Sequence, residues 1–196
     1  MTLGGITVVA ALTLSACGTG ADDSSTTGSS TTKPRAQQWT PGMSTTARPP
    51  ATTATALPPA EAGVDRSDPD AVALAAMTIW FDWDTARDTG PNDAAARSAP
   101  LLSPDYARAM TSGAPQSGPG ADWAMWKSRS AHLVPTVRRG AEPVPPATPS
   151  KAYAQVVVDQ AVTLPDGTVT EHRESVVAVT LTKGSQGWEV STVRLR

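Results

Sequence analysis

Acid–base chemistry in this sequence rests on few side chains: Asp82 and Asp84 on either side of Trp83, Asp159, Tyr106 and Tyr153, and the histidines His132 and His172. A proton-transfer enzyme needs a carboxylate base within reach of its substrate and a hydroxyl or protonated acid to receive the developing negative charge. On a helix, Asp82 and Asp84 point away from Trp83 and from each other. They read as solvated or capping acids, and no catalytic residue is assigned. Glu171-His172-Arg173-Glu174 sets His172 and Glu174 on one strand face, two metal-ligand types without an evident third. Alternating charges of this kind mark a solvated face, so no metal and no cofactor are expected. His132, beside an aromatic segment, reads as a packed edge residue. No Ser/His/Asp order, phosphate-binding loop or dinucleotide glycine pattern is present.

Aromatic surface is the second resource. Of six tryptophans, Trp80, Trp83, Trp123, Trp126 and Trp188 fall where hydrophobic periodicity is strong, and Trp39, alone in a polar tract, reads as a lone exposed aromatic. Rings at helical spacing usually pack, so most read as core. Trp80, Trp83, Trp123 and Trp126, with Tyr106 and His132, form the candidate pocket or interaction surface. Trp80 sits at the flank of its helix face, and an exposed patch of Trp80 with Trp126 would be an interaction surface. The net charge of −2 shows no basic surplus, which argues against a nucleic-acid partner.

The single thiol, Cys17, closes the run Leu14-Ser15-Ala16-Cys17 after an apolar stretch from Ile6 to Leu14. That stretch is far shorter than the roughly 20 residues that span a bilayer. Its length fits a signal-peptide core, and the small residues fit a processing site. The segment resembles a bacterial lipoprotein signal, although no Lys or Arg precedes the apolar run. The resemblance implies that residues 1–16 are removed as a signal peptide and that Cys17 is acylated. The chain would then be lipid-anchored in the cell membrane at its extracytoplasmic face. Two or more acyl chains, at roughly 0.8 kcal/mol per buried CH2, give near-permanent attachment. With one cysteine there is no internal disulfide, so the fold is held by its core.

From Cys17 to residue 66 the sequence is rich in Ser, Thr, Pro and Ala, as in Ser24-Ser25-Thr26-Thr27 and Thr52-Thr53-Ala54-Thr55. Little here can form a core, and ordering costs roughly 1–2 kcal/mol per residue, so a disordered linker is expected. A random coil of about 45 residues reaches on the order of 35–40 Å. Its Ser/Thr density also permits glycosylation.

The domain is expected over residues 67–196. Asp68 caps a helix, Pro69 suits its first position, and Gly90-Pro91 stops it, predicting a long helix to about Asp88. Val72, Ala75, Ala76, Ile79, Trp83 and Ala86 share one face, with Leu74, Met77 and Phe81 opposite, which places the helix between two layers. Asn92 or Asp93 begins a short helix to Ala99, anchored by Leu101 and Leu102. Ser103-Pro104-Asp105 begins another to Met110. Ser112–Gly120 is a loop, and Ala121–Ser130 adds a helical turn or two. Strands follow at His132–Arg138, with Pro135 marking an edge or bulge, then Lys151–Leu164, Thr168–Thr182 and Trp188–Leu195. Turns fall at Pro165-Asp166-Gly167 and Lys183–Gly187. Helices followed by an antiparallel meander read as α+β, one long and two or three short helices on a curved four-stranded sheet.

That order, with the Trp-bearing first helix and the closing Trp188-Glu189-Val190, resembles the nuclear transport factor 2-like superfamily over about Asp68 to Arg196. The resemblance implies a curved sheet wrapped around the long helix as a cone. Lipid-anchored actinobacterial members with a Ser/Thr/Pro tether look like this chain. The superfamily includes periplasmic-facing subunits of conjugation and type IV secretion channels, accessory proteins of lipid importers, isomerases and small-ligand binders. A fold so widely used selects no function by itself. With no catalytic set, the expected function is a non-enzymatic scaffold or accessory subunit that binds another envelope protein, conjugative transfer being the specific case. An apolar-ligand carrier and an isomerase-like enzyme are the alternatives.

Overall fold

A computed structural model describes residues 50–112 and 119–196. Cys17, the signal motif Leu14-Ser15-Ala16, Trp39 and most of the expected linker lie outside the described residues.

The architecture is α+β, with a curled five-stranded antiparallel sheet and, among the described residues, four α-helices. Helix α1 spans Pro69–Phe81, α2 Pro91–Arg97, α3 Pro104–Thr111 and α4 Ala121–Ser128. Strands are β1 Trp83–Asp84, β2 His132–Arg139, β3 Lys151–Thr163, β4 Val169–Gly184 and β5 Gly187–Leu195, paired in sequence order. Four strands are long, and the fifth, β1, is the two-residue addition that the sequence pattern did not announce.

The start of α1 follows from local chemistry. The Asp68 side chain accepts a hydrogen bond from the Asp70 amide at 2.9 Å, and Pro69 occupies the first turn. Its end does not follow the pattern. The helix stops at Phe81, seven residues before the expected Asp88, and side chains from near and far take its last carbonyls. The Trp83 indole donates to the Trp80 carbonyl (2.8 Å), buried Gln160 to Phe81 (2.7 Å) and Arg97 to Asp82 (2.6 Å). With those acceptors satisfied, Asp82 turns to an extended conformation and Trp83-Asp84 pairs with Leu133-His132. Ala86 is consequently exposed rather than on a helix face.

Helix α1 lies between α2 and the inner face of the sheet, as its two-sided apolar pattern requires. Its Val72, Ala73, Ala76, Met77, Ile79 and Phe81 are buried, against Ala152, Ala154, Val156 and Val158 of β3 and Val177, Val179 and Leu181 of β4. Trp188 and Val190 of β5 complete this core. Leu101 and Leu102 anchor the short-helix segment, with Leu102 bridging to Val190. Pro135 stands where β2 has left β1 and has only β3 as a neighbour, so its missing N–H costs no ladder bond. The β3–β4 hairpin turns at Asp166-Gly167, where Gly167 has φ +86° and the Asp166 carboxylate accepts from Thr168. The second turn is tighter than expected, since β4 runs to Gly184 and β5 resumes at Gly187.

The stretch before α1, expected as linker, packs on the domain from residue 54 onward. Leu57 and Val64 lie against the main core, and the Ala54 amide donates to the Ala96 carbonyl. The Trp188 amide donates to the Arg66 carbonyl at 2.8 Å, beside Gly187, whose φ of +117° and close approach to Arg66 exclude a side chain. Two apolar residues in a polar tract, together with these backbone bonds, fasten a strap that passes the β4–β5 turn.

Candidate functional site

The break after α1 creates a polar site that the sequence spacing concealed. Asp82 leaves the helix end and meets His132 on β2, Asp82 Oδ1 to His132 Nε2 at 2.5 Å. The register sets Asp84 directly opposite His132. The bond to Asp82 raises the His132 pKa above its ordinary value; burial opposes this, and the charges of Asp82, Asp84 and Asp88 add to the rise. A clasp holds the loop in place. Buried Asp88 takes both Arg97 guanidinium nitrogens, at 2.6 and 3.0 Å, and accepts from the Asp84 amide. The Lys127 ammonium donates to the Thr85 and Asp88 carbonyls. Beside this clasp is a cavity of about 220 Å³ lined by Pro58, Glu61, Thr78, Ile79, Asp82, Arg97, Val134 and Pro135. Its volume lies below the ~300–1,000 Å³ usual for ligand pockets.

The aromatic residues come together, but as core. Trp83 is the hub, with ring centroids 5.9 Å from Phe81, 6.1 Å from Trp123 and 6.4 Å from Trp126. Trp123 and Trp126 are buried and pack with Ala131, Leu133 and Val162 at the far end of the inner face. Arg173 covers Trp126 at 4.6 Å. Burial of Trp126 leaves no exposed patch of it with Trp80, which stacks on Tyr106 at 6.1 Å. The Tyr106 hydroxyl accepts from the Val193 amide of β5, and burial pushes its pKa up. Trp188 belongs to the main core.

The outer face of the sheet carries a larger cavity, about 600 Å³. Cross-strand rows form its floor: Lys151–Thr182, Tyr153–Thr180–Thr192 and Gln155–Ala178–Arg194. Val144 and Pro145, from the loop between β2 and β3, wall one side, and Leu195 and Arg196 contribute to the wall as well. That loop is held by Gln155, which accepts from the Glu142 amide and donates to its carboxylate. Neither cavity has a tryptophan in its wall.

On β4, His172 lies 3.0 Å from Asp159 and Glu174 lies 3.2 Å from Arg138. The two share a face as read from the sequence, but each has a different partner. Among the described residues no group of three or more His, Cys, Asp and Glu is placed to hold a metal ion, and no helix is long and apolar enough to cross a membrane. The residues that sequence reasoning missed are Arg97, Asp88 and Gln160. Their contacts span 9, 15 and 79 positions, beyond any local pattern.

No protein-family model matches the chain, and no curated protein matches it. Among solved structures it is similar to the intermembrane space region of the chloroplast protein ARC6. The identity is 14%, over 67% of this chain and 98% of that one, with a TM-score of 0.33. Likeness at that level bears on neither the detailed fold nor the function.

Proposed function

We propose that this chain is a non-enzymatic, lipid-anchored envelope protein whose domain binds another protein at the extracytoplasmic face of the cell membrane. In this reading it is a scaffold or accessory subunit, with a conjugative or type IV secretion-like machine as the specific case, and its domain is a nuclear transport factor 2-like cone. The single observation that carries the binding role is the filled inner face. Met77, Val158, Val179, Leu181 and Trp188, with the Trp83 cluster beyond them, fill the inner face; in the cone reading, an isomerase or carrier would need that space for its ligand. The anchor rests on Leu14-Ser15-Ala16-Cys17. The cone rests on the order of helices and strands and on a curled sheet around α1.

One observation favours a second reading, an isomerase-like enzyme: the Asp82–His132 pair beside the smaller cavity. A carboxylate-oriented imidazole is the arrangement of a general base. The cavity's size and the lack of a tryptophan in its wall weigh against it.

Crosslinking in intact cells followed by mass spectrometry tests the binding role, and recovery of no partner protein would refute it. Cys17→Ser is expected to release the protein into the medium or leave it unprocessed. Unchanged membrane retention would overturn the anchor.

A further inference from the structure

Resting on the reading of the domain as a protein-binding module, we propose that the outer-face groove docks an extended acidic segment of the partner, whose carboxylates meet Arg194 and Lys151. At about 600 Å³ the groove is within the range of cavities that hold a small ligand or a few peptide residues. Its wall contains Lys151, Arg194 and Arg196 and no Asp or Glu. Two acids stand near. Glu142 is engaged, accepting from Gln155 and from Arg196 at 2.9 Å. Glu189 is paired in register with Thr182 at the groove's end, outside the wall. The Arg194 side chain has no hydrogen bond or ion pair among the described residues, and Lys151 rests over the Tyr153 ring at 5.4 Å. Elsewhere on this face the charges are matched, Arg138 with Glu174 and His172 with Asp159. In a chain of net charge −2, unbalanced positive charge on this face is thus confined to the groove.

The remaining wall chemistry selects among anions. Thr180 and Thr182 offer hydroxyls to backbone amides, while Val144, Pro145 and Leu195, the last 67% exposed, offer apolar contact. An anionic glycan would use the cations and hydroxyls but leave the apolar walls wet. A peptide alternating acidic and apolar side chains uses all three, as an extended strand presents two kinds of side chain to opposite sides.

The test uses the full chain in detergent and a fluorescent probe peptide alternating Glu and Val, about six residues and so roughly 20 Å long. Expected is saturable binding that weakens with salt and falls about tenfold in Lys151→Gln/Arg194→Gln. Arg138→Gln, on the same face but outside the groove, should bind as the unaltered protein does. Equal binding by the groove variant, or equal binding of a Lys-Val probe, overturns the proposal. Tighter binding of polygalacturonate than of the Glu-Val peptide assigns the groove to a glycan and also overturns it. In intact cells, a photo-crosslinking residue at Thr180 should capture an Asp/Glu-rich protein segment, and the groove variant should lose that adduct. Protein adducts from a crosslinker at exposed Val134 but none from Thr180 overturn the groove while leaving the protein-binding reading intact. No protein adduct from either position overturns both.

Discussion

Replacing Arg97 with Leu should destabilise the domain by about 2–3 kcal/mol, a value bracketed by two limits. Breaking a fully buried ion pair costs roughly 3–5 kcal/mol, because it strands a charge away from water, whereas an exposed pair contributes roughly 0.2–1 kcal/mol. The Arg97 side chain is 34% exposed and that of Asp88 only 5%, so the pair stands between the limits, nearer the buried one. The variant also loses the bond to the Asp82 carbonyl, which helps hold the end of α1 open for β1. Urea unfolding followed by tryptophan fluorescence reads the change, because the Trp83 cluster adjoins the clasp. At 2–4 °C per kcal/mol for a domain of this size, the thermal midpoint should fall by about 4–12 °C. The mechanism makes a second demand. Asp88→Asn in the Arg97→Leu background removes the stranded charge and should recover at least about 1 kcal/mol. A loss below about 0.5 kcal/mol, or no recovery in the double variant, would refute the clasp as the element that shapes this loop.

Two further outcomes follow from the same geometry. The folded-state pKa of His132 is raised, so its pair with Asp82 contributes fully below the unfolded histidine value of about 6.5, and the contribution is lost as pH climbs through the raised folded value. Both side chains are nearly half exposed, so solvent screening holds the effect to at most about 1 kcal/mol. NMR titration should find His132 protonating above the ordinary histidine range and Asp82→Asn returning it toward that range, and a His132 that titrates normally beside intact Asp82 would contradict the structure. Tyr106→Phe takes the acceptor from the Val193 amide and should cost about 1 kcal/mol, with faster exchange of that amide; unchanged exchange would show that the hydroxyl does not hold β5.

What the sequence made legible was local. Asp68-Pro69-Asp70 announces a helix start because cap, ring and dipole act within one turn. The alternation Ala154, Val156, Val158 announces a strand because each residue's face depends only on its neighbours. The end of α1 was illegible for the opposite reason. Ala86 and Trp83 continue the helical spacing of Ile79, and nothing nearby says that Gln160 and Arg97 will take the carbonyls. A two-residue strand such as β1 has no period to detect. The Asp82–His132 pair exists only once β1 is laid against β2, so helical geometry pointed Asp82 elsewhere. The linker boundary misled because composition averages over Leu57 and Val64, the residues that dock the strap.

The two faces of the sheet differ in burial, and under the proposed protein-binding reading this difference bears on where a partner could act. An antiparallel sheet can leave one face to water, and its residues there need only suit a strand. Threonine at 180, 182 and 192 satisfies that demand with no partner at all, so hydroxyls alone would be weak support for a docking surface. The charges are harder to explain as strand chemistry. A solvated face usually interleaves opposite signs, and Arg138 with Glu174 and His172 with Asp159 show that this face can match its charges across strands. The groove departs from that habit at Arg194, unpaired in a row whose other members are Gln155 and Ala178. The inner face is filled by its own side chains, so in the protein-binding reading a partner would meet the outer surface. The cationic groove is where that surface is both concave and electrostatically incomplete.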